Sequence, residues 1–99
     1  MPKNLRFHPE VAAELKEAID FGLEKWPDRV GDLLEEYEGR LNLIIDEDPS
    51  LRREMAYGVK RINLRRFPYH IIFLPSEDSV FIIAFCDSRK QPNYWKDRF

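Results

Sequence analysis

Cysteine occurs once in this 99-residue chain, at Cys86, and the four glycines are widely scattered. A lone thiol permits no intramolecular disulfide, so nothing points to a secreted, stapled scaffold. The scattered glycines form neither a P-loop nor a dinucleotide turn, and neither CxxC nor HExxH occurs. His8, His70, Cys86 and the carboxylates stand at no ligand spacing, so no metal and no cofactor are expected. The opening MPKNLRFHPE lacks the apolar run of a signal peptide, and no stretch nears the ~20 apolar residues of a membrane helix. These absences predict a soluble, cytoplasmic protein with no membrane partner.

What is present suits one domain over residues 1–99. The hydrophobic fraction is 43% and the aromatic fraction 13%, enough for a packed core, while 34% charged residues imply a densely charged exterior. The formal net charge of −2 conceals an asymmetry. Residues 1–51 hold six basic against thirteen acidic side chains, whereas residues 52–99 hold ten against five. Such a split suits either an acidic partner for the second half or attraction between the halves of the fold.

Leu5-Arg6-Phe7 reads as a short strand stopped at His8-Pro9. Pro9 suits a helix start and Glu10 its positive dipole end. Val11, Leu15, Ala18, Ile19, Gly22, Leu23 and Trp26 then form one apolar stripe that Pro27 ends. A second stripe runs through Val30, Leu33, Leu34, Tyr37, Leu41, Ile44 and Ile45, and fails at Asp46-Glu47-Asp48, whose acids oppose the dipole before Pro49. Two amphipathic helices so closely joined make an antiparallel hairpin. Three strands follow: Val59–Leu64, Phe67–Leu74, and the continuously apolar VFIIAFC of residues 80–86, separated by short turns. The predicted class is α+β, in the order β-α-α-β-β-β, with a small antiparallel sheet carrying the hairpin on one face.

Few side chains offer chemistry. His8 beside a helix start reads as structural, and His70 as an occupant of the polar side of the sheet, with general-base work the sharper alternative. Cys86, ending the most apolar strand, reads as a buried, inert thiol. The strongest internal signal is basic: Lys60, Arg61, Arg65 and Arg66 on neighbouring positions, with Arg89 and Lys90 just past the last strand. Converging, they would match phosphate or carboxylate; dispersed, they are a solvated face paired with the acidic helices.

The tail RKQPNYWKDRF (89–99) is unusually aromatic for a terminus. It completes a pattern of a short strand, F-H-P-E, a helix carrying A-E-L-x-x-A-I (13–19), and a second long helix before D-x-P. RRFPYHIIFLP (65–75), another apolar strand and R-x-x-P-x-Y-W-x-x-R (89–98) follow. Over nearly its whole length the chain resembles the plasmid-stabilisation toxins of the RelE/ParE superfamily. The resemblance implies a growth-inhibiting toxin of a type II toxin–antitoxin pair, held inactive by a cognate antitoxin, with any DNA contact made through the antitoxin. RelE-like members cleave mRNA on the ribosome without metal, whereas ParE-like members bind and poison DNA gyrase.

A RelE-type catalytic set would fall on Arg61 or Arg65, Arg89 and Tyr94. Target or antitoxin contacts would draw on Lys60, Arg61, Arg65, Arg66, Arg89 and Tyr94, while Pro92 and Trp95 would fix the tail. Only Lys60 represents the Lys-rich cluster expected before the strands, and a pI near 5.7 suits docking among ribosomal RNA poorly. Many relatives place a His at the position of Cys86, and an extra residue, Lys90 or Gln91, precedes Pro92. These departures favour the ParE-like branch. An endoribonuclease, or a degenerate toxin that only binds its antitoxin, are the alternatives.

Overall fold

The computed structural model describes residues 3–48 and 52–99. Its elements are β1 (Asn4–Phe7), α1 (Glu10–Lys25), α2 (Val30–Asp46), β2 (Lys60–Asn63), β3 (Tyr69–Pro75) and β4 (Ser79–Asp87). A 3-10 turn, Pro27–Arg29, joins the helices, and another, Lys96–Arg98, closes the tail. The four strands lie in the order β1-β4-β3-β2, so β4 is internal between β1 and β3. The α+β class, the element order and the hairpin on the sheet agree with the expectation from sequence.

The sheet itself is mixed. β2, β3 and β4 form an antiparallel meander, but β1 pairs in parallel with β4, from Asn4↔Ser79 to Phe7↔Ile82. A strand separated from its partner by two helices returns through a crossover, which leaves the pair pointing the same way. Four residues of alternating pattern carry no mark of that direction.

Each helix is terminated by chemistry readable in the chain. His8 Nδ1 accepts the Glu10 N–H at 3.1 Å, satisfying one donor of the first turn of α1. At the other end, Trp26 folds back over Gly22. A Cβ on residue 22 would lie 2.7 Å from the indole, so only glycine permits this approach. The indole then meets Phe67 at 5.1 Å between centroids, tying the β2–β3 connection to the end of α1. α2 stops at Asp46, ahead of extended Glu47, whose carboxylate holds Arg52 through Nε at 2.7 Å. Pro49 lies outside the described residues.

The sheet is covered on both faces. On the helix side, Val11, Ala18, Leu33, Tyr37, Leu41 and Ile44 pack against Ile62, Ile71, Phe73, Val80, Ile82 and Phe85. On the other, Val59, Ile72, Ile83, Ala84 and Cys86 pack under Trp95 from the tail. This two-sided burial explains why VFIIAFC is apolar at every position. A register shift helps: Ile72 faces Ala84 while Phe73 faces Ile82, leaving Ile83 as the extra residue of a bulge. Leu23, placed on the α1 stripe by its spacing, is 56% exposed, because the stripe narrows to Val11, Glu14, Ala18 and Gly22.

Trp95 is 2% exposed and is the largest residue the tail lays on the second face. Trp95→Ala is therefore expected to destabilise the fold by about 3–5 kcal/mol. Urea unfolding checks this, with the midpoint falling.

Candidate functional site

The row of buried positions on α1 contains one charge, Glu14, which is 8% exposed. β1 accompanies β4 only as far as Ile82, with the His8 N–H closing onto the Ile82 carbonyl at 2.9 Å. Beyond that point β4 loses a strand neighbour on this edge, and side chains replace it. Glu14 Oε1 accepts the Phe85 N–H at 3.0 Å, while Arg98 Nη1 donates to the Ile83 carbonyl at 3.1 Å. The two side chains are themselves joined in a fork: Arg98 Nη1 to Oε1 at 2.9 Å and Nη2 to Oε2 at 3.1 Å. The Tyr94 hydroxyl donates to Oε2.

One carboxylate thus holds α1, the bulged part of β4 and both ends of the tail segment. A buried charge left without its partner costs about 3–5 kcal/mol, whereas the same pair at the surface is worth less than about 1 kcal/mol. Glu14 was not among the residues selected from sequence. The signal was there, because an acid three residues after Val11 and four before Ala18 sits inside an apolar helical row.

Tyr94 is consequently a committed donor. Burial, and then its hydrogen bonds to Cys86 and Glu14, push the phenol well above its ordinary pKa. The Arg98 guanidinium stacks on its ring, 5.1 Å from the centroid. Arg89 is engaged too, though at the surface, with 62% of its side chain exposed. Its Nε and Nη2 reach the two oxygens of Asp87 at 3.0 and 2.8 Å, and its backbone N–H caps Oδ1 at 2.9 Å. These bonds hold Asp87 below the usual carboxylate range.

The remaining basic residues have separate neighbourhoods. Lys60 Nζ donates to the Arg52 carbonyl at 2.8 Å. Glu36 accepts the backbone N–H groups of Arg65 and Arg66 at 3.0 and 3.1 Å, and the Arg66 head approaches Asp32 at 4.0 Å. Lys90 reaches Glu17 at 3.3 Å. Contacts from the basic half to the acidic helices recur, so internal attraction accounts for part of the charge split. Arg61 differs. It is bound through Nε to Asn63 Oδ1 at 2.8 Å and makes no salt bridge among the described residues.

Four of the selected residues meet in one place. Arg61, Tyr94, buried Trp95 and exposed Pro92 line a small cleft of about 110 Å³ on the tail side of the sheet, with His70, Cys86 and Ser88 around it. His70 is not on a solvated face, as its position in an alternating strand suggested. It is 9% exposed, because the tail crosses that side of the sheet, and its Nδ1 lies 3.3 Å from Ser88 Oγ. Burial, with a smaller contribution from Arg61, lowers its pKa to about 4, so the imidazole is neutral near pH 7. Burial likewise raises the Cys86 thiol to about 11. Among the described residues no group of three or more His, Cys, Asp or Glu side chains is placed to hold a metal ion.

The fold is shared with a solved chain of a toxin–antitoxin system. A solved chain from a chromosomal ParDE toxin–antitoxin system of P. aeruginosa superposes with a TM-score of 0.74 at 15% identity, over 86% of this chain and 95% of that one. No protein-family model matches the sequence, and no curated protein matches it. At this identity the likeness defines a common architecture.

Two measurements probe the site. Glu14→Ala is expected to cost about 3–5 kcal/mol, because it strands the Arg98 guanidinium and the Phe85 N–H, and Tyr94→Phe only about 1 kcal/mol. Chemical denaturation of both variants checks the order. The second concerns acid. The pKa of His70 is lowered on folding, so its unfolded form binds more protons between pH 6.5 and about 4. Stability associated with neutral His70 is complete above pH 6.5 and is lost as pH falls towards 4. His70→Gln should flatten the stability–pH profile in that window relative to the unsubstituted protein.

Proposed function

We propose that this chain is the toxin of a type II toxin–antitoxin pair, neutralised by a cognate antitoxin and acting by binding DNA gyrase. The architecture held in common with the ParDE chain supports the toxin reading. The observation that carries the choice of target is the way the candidate catalytic side chains are engaged. Arg89 is forked onto Asp87, and the Tyr94 phenol donates to buried Glu14. Ribonuclease chemistry without metal needs groups ready to exchange a proton with the attacking 2′-hydroxyl and the leaving oxygen. A phenol whose pKa is raised and whose proton is committed to a carboxylate suits that task poorly. Binding a large protein target needs only a stable surface.

One arrangement favours the endoribonuclease alternative: Arg61, His70 and Tyr94 do share a cleft. The neutral imidazole would be the base there and Arg61 the phosphate contact. A degenerate toxin that retains only antitoxin binding is the third reading.

Tightly controlled expression followed by two assays separates them. Loss of gyrase supercoiling with trapped DNA cleavage is expected, with intact mRNA; codon-biased mRNA cleavage would replace this proposal with the ribonuclease. Growth without any defect would leave the degenerate reading. Within the gyrase reading, Arg89→Ala is expected to abolish the growth defect without unfolding the protein. A variant that stays folded and fully toxic removes Arg89 from the target surface.

A further inference from the structure

Between the outer flank of α1 and the residues following β4 lies a cleft of about 410 Å³, of whose lining the toxin reading uses only Arg89. Its volume is in the range of ordinary ligand pockets. Tyr69, Phe85 and Ala18, from the helix side of the core, make its floor. Phe21, 37% exposed, stands in one wall.

The charge around these rings has one dominant sign. Glu17 and Glu24 flank Phe21 on α1, four residues before and three after it, Asp20 directly precedes it, and Asp87 stands opposite. With Glu14 the lining holds five carboxylates against two cations, Arg89 and Lys90. Glu17 and Glu24 keep 73% and 74% of their side-chain surface exposed, so their contacts with Lys90 and Lys25 leave most of each carboxylate accessible.

The cleft also contains an example of what it binds. The guanidinium of Arg89 is gripped by both oxygens of Asp87 while lying over the Phe21 ring, 5.4 Å from its centroid. A planar cation between a carboxylate and an aromatic face is a favoured setting for arginine, and a point-charge ammonium uses it less well. Arg89 occupies one side of Phe21. Glu17 and Glu24 offer the same pairing to a second guanidinium, and Asp20, 57% exposed, would exchange its surface contact with Lys16 Nζ at 2.7 Å.

We propose that this cleft is a docking site for a partner-protein segment that presents an arginine beside an apolar side chain. The arginine engages the α1 carboxylates and Phe21, and the apolar neighbour lies towards Tyr69 and Phe85. Charge complementarity selects this occupant: an acidic segment would meet the carboxylates directly, and an uncharged apolar one would leave them unpaired as it removed their water. The proposal deepens the antitoxin reading by giving chemistry to the docking segment, and rests on that reading only for the identity of the partner.

The test uses the full chain and a blocked Ala-Leu-Arg-Leu-Ala peptide, with a control carrying glutamine in place of arginine. Amide shifts followed by NMR should move at residues 17–24 and 87–90, with affinity that falls as salt is raised. The triple variant Glu17→Gln, Asp20→Asn, Glu24→Gln should weaken binding at least tenfold while keeping an unchanged amide spectrum elsewhere, since all three side chains are on the surface. No shift at the cleft, equal binding of the control, or full binding by the triple variant would each overturn the proposal. Spermidine binding as tightly as the peptide would also overturn it, by making the cleft a small-cation site. Peptide binding by a chain that causes no growth defect would uphold the cleft while removing the active-toxin reading, so the two can fail separately.

Discussion

The structure depends on a single buried carboxylate. Glu14 stands where the helix layer, the bulged portion of β4 and the tail come together, and each of its oxygens accepts more than one donor. An ionised carboxylate taken out of water is tolerated only when its lone pairs are filled. Here the filling groups are a backbone N–H, a phenol and a guanidinium fork, which lie 71 to 84 residues beyond Glu14 in sequence. The requirement to satisfy one charge therefore dictates where the tail runs. With the tail placed, Trp95 covers the second face of the sheet, and His70 and Cys86 lose their access to solvent.

The same constraint separates the basic residues. A tail tied to Glu14 leaves Arg89 at the mouth of the α1 cleft, where Asp87 and Phe21 receive it. Arg61 remains on the far side of the sheet, beside the small cleft with His70. The backbone at Arg65 and Arg66 is held against α2 by Glu36, and the Arg66 head lies near Asp32. The molecule presents cationic groups in several directions and a concentrated acidic patch in one.

Much of this architecture could be read from the chain, for identifiable reasons. The helices announce themselves by period and by Pro9, Pro27 and the acidic stop at Asp46, and the central strand by seven apolar residues in succession. The parallel direction of β1 could not be read, since pairing across an edge is decided by distant partners such as Ile82. His70 was misjudged because alternation tells which face a residue takes, not whether a tail will later cover that face. Glu14 was overlooked because a periodicity search counts apolar residues and passes over the one charge among them. The basic residues stand out one by one in the chain. For Arg65, Arg66 and Lys90 the acceptors, Glu36 and Glu17, lie on the helices and no local pattern links them; only the Asp87–Arg89 pair, two residues apart, is local.

The Glu14–Arg98 fork spans 84 residues, and the Tyr94 contact 80. A closure over so many residues brings distant parts of the chain together before any of its hydrogen bonds can form, so its loop entropy is lost ahead of the bonds that offset it. The contact that joins α1, β4 and the tail is therefore the most non-local bond among the described residues, and its formation marks the point at which the three segments become one cooperative unit.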